Sequence, residues 1–180
     1  MKRLILDLRG NGGGDLHQTV KILGLFLPPV TTVVTVRERE KAAESLVTPQ
    51  RQRRQRAYPI VLLQDRDSAS ASELTSGALR DLKRATVIGE RSYGKGSVQN
   101  IEPLGGGTAL RLTIATYHTP SGETPHLKGI TPDIEVPISE SDRAFFLQAG
   151  RPSSLTAEER AALAAWVDPC LAEAIRKLSD

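Results

Sequence analysis

The segment D-S-A-S-A-S-E-L, Asp67–Leu74, constrains this chain more than any other. It follows the apolar run Ile60–Leu63, a buried-type strand, and leads into Ser70–Leu82, where Leu74, Ala78 and Leu82 fall on one helical face. Small residues at such a junction let a strand turn tightly into a helix. The helix N-terminus also favours negative charge developing beside it. A fold built around this junction has to layer helices on a sheet.

The rest of the chain agrees. Leu4–Leu8 reads as a short strand, Gly10–Gly14 as a glycine turn, and Asp15 as the N-cap of a helix. That helix carries Leu16, Val20, Leu23 and Leu27 on one face, and Pro28-Pro29 is expected to end it. Thr31–Val36 alternates as a β-branched strand. Arg37–Tyr58 is polar and reads as a long loop or exposed hairpin extension. Thr86–Gly89, Ser97–Ile101 and Thr108–Tyr117 read as strands, Thr119–Gly122 as a turn, and Ile134–Ile138 as a last short strand. From Ser141 the composition turns helical, and Ser154–Asp180 predicts a terminal helix interrupted near Pro169. The expected class is α/β, with a mixed-sheet core of ββα-type units and C-terminal helices.

Composition removes several functions. The formal net charge is only +3, and much of the basic excess sits in Arg51–Arg56, without interleaved aromatic residues for base stacking. This argues for a solvated surface run and against nucleic acid. No stretch is long and apolar enough to span a membrane. The opening M-K-R-L-I-L-D-L-R-G is too short in its apolar part, and too interrupted by Asp7 and Arg9, for a signal peptide. It reads as a buried strand, so the chain starts inside a fold, with an upstream portion expected to be missing. The single cysteine, Cys170, reads as a small apolar residue in the terminal helix.

The chemistry gathers at two places. One is the serine-rich junction, where Ser68, Ser70, Ser72 and Ser76 compete as nucleophile and spacing does not choose among them. The other is Y-G-K-G-S-V-Q, Tyr93–Gln99, which sets Lys95 between two glycines. A serine hydroxyl needs a base. The histidines, His17, His118 and His126, sit beside no recognisable catalytic serine or acid partner. A neutral lysine can serve instead if its pKa is brought down from about 10.4, chiefly by desolvation. Lys95, next to Tyr93 and Val98, suits that role. Backbone N–H groups after the nucleophile and in the turn Asn11–Gly14 would supply an oxyanion hole. Gly89–Gly96, G-E-R-S-Y-G-K-G, imitates a phosphate-binding loop, but Gly96 replaces the required Ser or Thr and a strand follows instead of a helix. The glycine turn Asn11–Gly14 also lacks the spacing of a dinucleotide loop.

These motifs occur in the order L-I-L-D-L-R-G-N-G-G-G, S-A-S-A-S-E-L with G-A-L-R-D, V-I-G-E-R-S-Y-G-K-G-S-V-Q, Y-H-T-P-S-G and G-I-T-P-D-I-E-V-P. In that order the chain resembles the carboxyl-terminal processing peptidases, the tail-specific serine–lysine proteases, from Leu4 to about Val136. The resemblance implies a ClpP/crotonase-like fold. It also implies Ser70 as nucleophile, Lys95 as base and Gln99 as the residue that positions the lysine. The implied oxyanion donors are the amides of Ala71 and Gly13. It further implies an acyl-enzyme mechanism without metal or cofactor, protein or peptide substrates, an extracytoplasmic setting, and room for a homo-oligomer.

Two departures qualify it. The family's N-terminal helical portion and PDZ domain, which captures substrate C-termini by strand addition, are expected to be missing from this chain. The expected organisation is thus a catalytic core over 1–138 and a helical extension over 139–180. Asp67 also stands where the family more often has a small or neutral residue. The competing function is a catalytically impaired fragment that binds peptides or ligands in the same cleft. A nucleotide-binding enzyme built on Gly89–Gly96 is a weaker third reading.

Overall fold

The computed structural model of the protein describes residues 1–50 and 57–179, so the basic run Arg51–Arg56 lies outside the described residues. Its strands divide between two four-stranded sheets. The first is parallel, in the order β1 (Leu4–Asp7), β4 (Ile60–Gln64), β5 (Thr86–Gly89) and β8 (Ile134–Glu135). The second is antiparallel, in the order β3 (Glu44–Val47), β2 (Thr32–Glu38), β7 (Thr108–His118) and β6 (Ser97–Gly105). The expected mixture of strand directions is therefore present, with each direction in its own sheet.

Strand β4 explains the parallel sheet. All five of its residues are buried, as a strand covered on both faces requires. Ile60 and Leu62 enter a core with Val20, Leu23, Leu74, Ala78, Leu79 and Val87. This core joins α1 (Leu16–Leu23) and α2 (Ala71–Asp81) to both sheets. Val61 and Leu63 face the other way, into a second cluster with Ile88, Cys170 and Ala174. That cluster is closed by α5 (Pro169–Ser179), which packs on β4 and β5. Each fully buried Leu or Val side chain contributes about 1.5–3 kcal/mol. Burial pushes the Cys170 thiol up to about 11, in keeping with an apolar structural role.

Helix α1 ends earlier than its apolar periodicity predicts. Asp15 caps its start by accepting from the Gln18 N–H (2.7 Å), but Gly24 ends it, five residues short of Pro29. A turn follows, with Phe26 N–H donating to the Leu23 carbonyl (2.9 Å). The turn drops Phe26 and Leu27 into the core, so Leu27 is buried without being helical. The polar stretch after β2 forms a hairpin with β3, and the final apolar segment is reduced to the two residues of β8. The C-terminal composition resolves into α3 (Glu140–Ala149), α4 (Ala157–Ala165) and α5, with Trp166–Asp168 breaking the chain before Pro169. Among the described residues no helix is long and apolar enough to cross a membrane.

Arg9, directly before the glycine turn, ties these helices to the sheet. Its guanidinium bonds Asp168 (2.9 Å) and Asp7 (2.7 Å) and lies 4.3 Å from the Phe146 ring centroid. Burial works against this charge, but the two carboxylates hold the guanidinium above its ordinary range. Asp168 also accepts from the Leu171 N–H at the start of α5 (3.0 Å). Nearby, Trp166 stacks on Phe145 and donates to Asp142 (2.9 Å).

Replacing Arg9 by Ala strands a nearly buried Asp168, which should cost about 3 kcal/mol. Trp166 is the only tryptophan, so its fluorescence should lose its folded signal at a lower urea midpoint in R9A. An unchanged midpoint would remove Arg9 from this role. Acid should act at the other end of α2. Burial alone would raise the Asp81 carboxyl, but hydrogen bonds from Thr119, Ser121 and Arg80 hold it below its usual range. Its stabilisation is therefore complete above about pH 3.9 and is lost as pH falls through the lower folded-state value. D81N should flatten that acid limb in a stability–pH profile.

Candidate active site

Three loops leave the carboxyl ends of adjacent parallel strands: Leu8–Asp15 after β1, Asp65–Ser70 after β4 and Glu90–Gly96 after β5. Parallel α/β sheets place their ligand crevices at such ends. Asp65 fastens the first loop to the second. Its carboxylate accepts from the N–H groups of Gly10 (3.0 Å), Asp67 (3.0 Å) and Ser68 (3.0 Å). The Ser68 hydroxyl donates to the Leu8 carbonyl (2.8 Å), and the Ala69 N–H donates to the Asn11 carbonyl (3.0 Å). Asp67 itself is exposed.

Burial separates the four serines that spacing leaves equivalent. Ser68, Ser72 and Ser76 are all buried. Ser68 and Ser76 also spend their hydroxyls on the Leu8 and Ser72 carbonyls. Ser70 is only half-buried and lines a cavity of about 140 Å³ with Gly14, Leu16, Leu74, Val98 and Tyr117. Its backbone stands at φ 57°, ψ −115°, immediately before α2. A serine in that region is strained by about 1–3 kcal/mol, and such strain collects at functional positions. A strained serine on a sharp strand-to-helix turn is the arrangement that exposes a nucleophile.

The glycine turn lies against this corner. Gly13 adopts φ 99°, and a β-carbon there would stand 2.7 Å from the Ala71 nitrogen and 2.9 Å from the Ser70 β-carbon. Only a glycine fits. As the first residue of α2, Ala71 has an N–H with no partner four residues back in the helix. The Gly13 N–H donates to the Asn11 side-chain oxygen (2.9 Å). It can therefore serve another acceptor only by sharing or releasing that bond.

Lys95 is half-buried. It is less enclosed than its neighbours in sequence suggest, because the Tyr93 side chain is largely exposed while its N–H is held by the Ser68 carbonyl (3.0 Å). Among the described residues no hydrogen bond or ion pair uses the Lys95 ammonium, and none joins it to the Ser70 hydroxyl. Gln99 is exposed and donates to Thr113 across the hairpin (3.4 Å), not to Lys95. The register of the β6–β7 pairing shifts between Val98 and Gln99. At Gly96, where a phosphate loop needs Ser or Thr, a β-carbon would meet the His126 nitrogen at 2.5 Å. His118 is engaged with Thr116 and the Gly122 carbonyl (3.1 and 3.0 Å).

What brings Ser70 and Lys95 together is a pair of side chains that sequence reasoning did not single out. The Glu73 carboxylate is fully buried. One oxygen accepts from the N–H groups of Ser70 (2.8 Å) and Lys95 (2.7 Å). The other accepts from the Ser92 hydroxyl (2.6 Å) and the Gly94 N–H (2.7 Å). The Tyr117 hydroxyl lies 2.8 Å from the Ser70 carbonyl and 2.6 Å from that of Lys95. Burial, and then the charge of Glu73, push the Tyr117 phenol up, so it keeps the proton that it donates. The spacing Ser70-x-x-Glu73 is a capping-box signature and could have indicated the bond back to Ser70. Nothing local announces the bonds to Gly94 and Lys95. Among the described residues no group of three or more His, Cys, Asp or Glu is arranged to hold a metal ion.

Comparisons with known proteins give the family and the fold. The carboxy-terminal-processing protease of Bartonella bacilliformis is 43% identical over 152 residues, covering 83% of this chain and 35% of the relative. The carboxyl-terminal-processing protease of Synechocystis is 41% identical over 136 residues, covering 74% and 31%. Among solved structures, the photosystem II D1 C-terminal processing protease matches with a TM-score of 0.64 at 32% identity, over 76% of this chain and 35% of that one. A putative peptidase from Parabacteroides merdae shares the fold (TM-score 0.71, 23% identity, 98% and 52% covered). The chain thus spans about a third of the length of the processing proteases that it matches. The model of Peptidase family S41 matches residues 1–136, three quarters of the chain, and the chain belongs to that family of serine-type C-terminal processing proteases.

Proposed function

We propose that residues 1–138 form the catalytic core of a serine endopeptidase that cleaves proteins near their C-termini through a Ser70–Lys95 dyad. One observation carries the reading. Of the four candidate serines only Ser70 is not buried, and it stands strained at the start of α2 beside an apolar cavity, with its backbone joined through Glu73 to that of Lys95. The names of the relatives supply the C-terminal preference. The helices of 139–180 act as a structural extension of the core.

The chemistry follows from these groups. The neutral Lys95 amine takes the Ser70 proton as Oγ bonds to the scissile carbonyl carbon. The Ala71 N–H, and the Gly13 N–H once Asn11 yields it, hold the oxyanion. Collapse breaks the C–N bond, and the leaving amine takes the proton from the Lys95 ammonium. Water then gives a proton to Lys95 and attacks the ester, and Ser70 leaves with that proton. Gln99 is assigned to orienting the lysine, which requires its amide to turn from Thr113. The cavity of about 140 Å³ lined by Leu16, Leu74 and Val98 takes a small or medium apolar side chain before the scissile bond.

A second reading, peptide binding without turnover, draws on the same geometry: Gly13 is engaged by Asn11, and Ser70 and Lys95 are not yet hydrogen-bonded to each other. Hydrolysis of an unstructured protein separates the two. S70A should abolish it, and K95A should lower it by roughly 10²–10⁴-fold or more. Peptide binding with no S70A-sensitive turnover supports the second reading. The rate should also climb toward alkaline pH, because only the neutral amine can accept the proton, and a profile flat through that limb would remove lysine as the base. V98F should fill the cavity and lower kcat/KM for substrates with Leu before the cleaved bond more than for those with Ala. Equal losses would place substrate selection elsewhere.

A further inference from the structure

We propose that Glu73 and Tyr117 are positioning residues that together set the distance and orientation between nucleophile and base, by holding the peptide groups of Ser70 and Lys95 rather than their side chains. The inference rests on the dyad reading. Its observation is a symmetry in the hydrogen bonds. The N–H groups of Ser70 and Lys95 converge on one oxygen of Glu73, at 2.8 and 2.7 Å. Their carbonyl oxygens converge on the Tyr117 hydroxyl, at 2.8 and 2.6 Å. One buried acceptor and one buried donor thus staple the two catalytic residues on both edges of their backbones.

Each residue type suits its place. An ionised carboxylate accepts only and offers about four lone-pair sites. Glu73 meets four donors, from Ser70, Ser92, Gly94 and Lys95. A glutamine would turn an NH₂ toward two of them. Tyr117 has one proton for two carbonyls, so it donates to one while crowding the other, or is shared between them. Displacing either loop releases half of the arrangement. The staple spans α2, the loop after β5 and the end of β7, so it also locks the antiparallel sheet to the parallel one at the site. It matters because Ser70 is strained and Lys95 lies on a loop between glycines. Neither local conformation fixes the other, and a misplacement of about 1 Å can cost on the order of 100-fold in rate.

The test uses the chain as it is, with a fluorophosphonate probe that phosphonylates an activated serine and expels fluoride. Labelling rates are measured from neutral to alkaline pH for the wild type, S70A, Y117F, Y117L and E73Q, alongside thermal melts. Y117F keeps the buried ring and loses only the hydroxyl. Its melt should stay near that of the wild type, while its labelling rate falls roughly 100-fold and its alkaline rise is displaced. E73Q should lose rate at least as far. If ring packing alone mattered, Y117F would keep the wild-type rate and pH profile and only Y117L would lose them. That result overturns the staple and leaves the dyad standing, provided that S70A takes no label. Labelling of S70A at the wild-type rate, or a wild type that takes none, overturns the dyad reading and the staple with it.

Discussion

The site depends on one buried carboxylate. Glu73 is fully inaccessible, and its two oxygens accept four hydrogen bonds from two segments of the chain: one from Ser70 at the start of α2 and three from Ser92, Gly94 and Lys95 of the loop after β5. Charge-assisted bonds of this kind are roughly twice as strong as neutral ones, and a buried charge without them would cost several kcal/mol. The carboxylate therefore holds the loops together because its own burial requires all four donors. The Ser92 hydroxyl extends the network by accepting from the Ile130 N–H (2.6 Å), which anchors the segment that packs against Gly96.

Behind the network stands a division of labour between sheets. The parallel sheet brings the glycine turn, the serine turn and the lysine loop to one end, because β1, β4 and β5 are adjacent and run in the same direction. The antiparallel sheet adds Tyr117 from the end of β7 and one wall of the apolar cavity through Val98. Helix α5 completes the far face of β4, and Arg9, next to the glycine turn, binds Asp168 directly before that helix.

The sequence was most legible where local chemistry leaves few choices. The apolar run of β4, the Asp15 cap and the break before Pro169 all follow from residue types and spacing, and each is observed. The apolar period of helix α1 continues through Leu27, past the end of the helix. Gly24 and the tight turn after it end the helix, and the core takes Phe26 and Leu27 regardless of their secondary structure. The neighbours of Lys95 in sequence suit a desolvated lysine, but one of them, Tyr93, has its ring in solvent while its N–H is bonded to Ser68.

By itself the sequence determined the α/β class, the serine-rich helix start, the glycine-flanked lysine and, through the order of its motifs, the family. Those are properties of short segments, set by side-chain type, spacing and backbone freedom. Spacing could not decide which serine is accessible, because burial depends on how β1 and the loop after β4 pack together. Nor could it reveal Glu73 and Tyr117 as partners of both Ser70 and Lys95. Glu73 stands 22 residues from Lys95, and Tyr117 stands 47 from Ser70. Only the stacking of the two sheets brings a buried acceptor and a buried donor to the same two peptide groups.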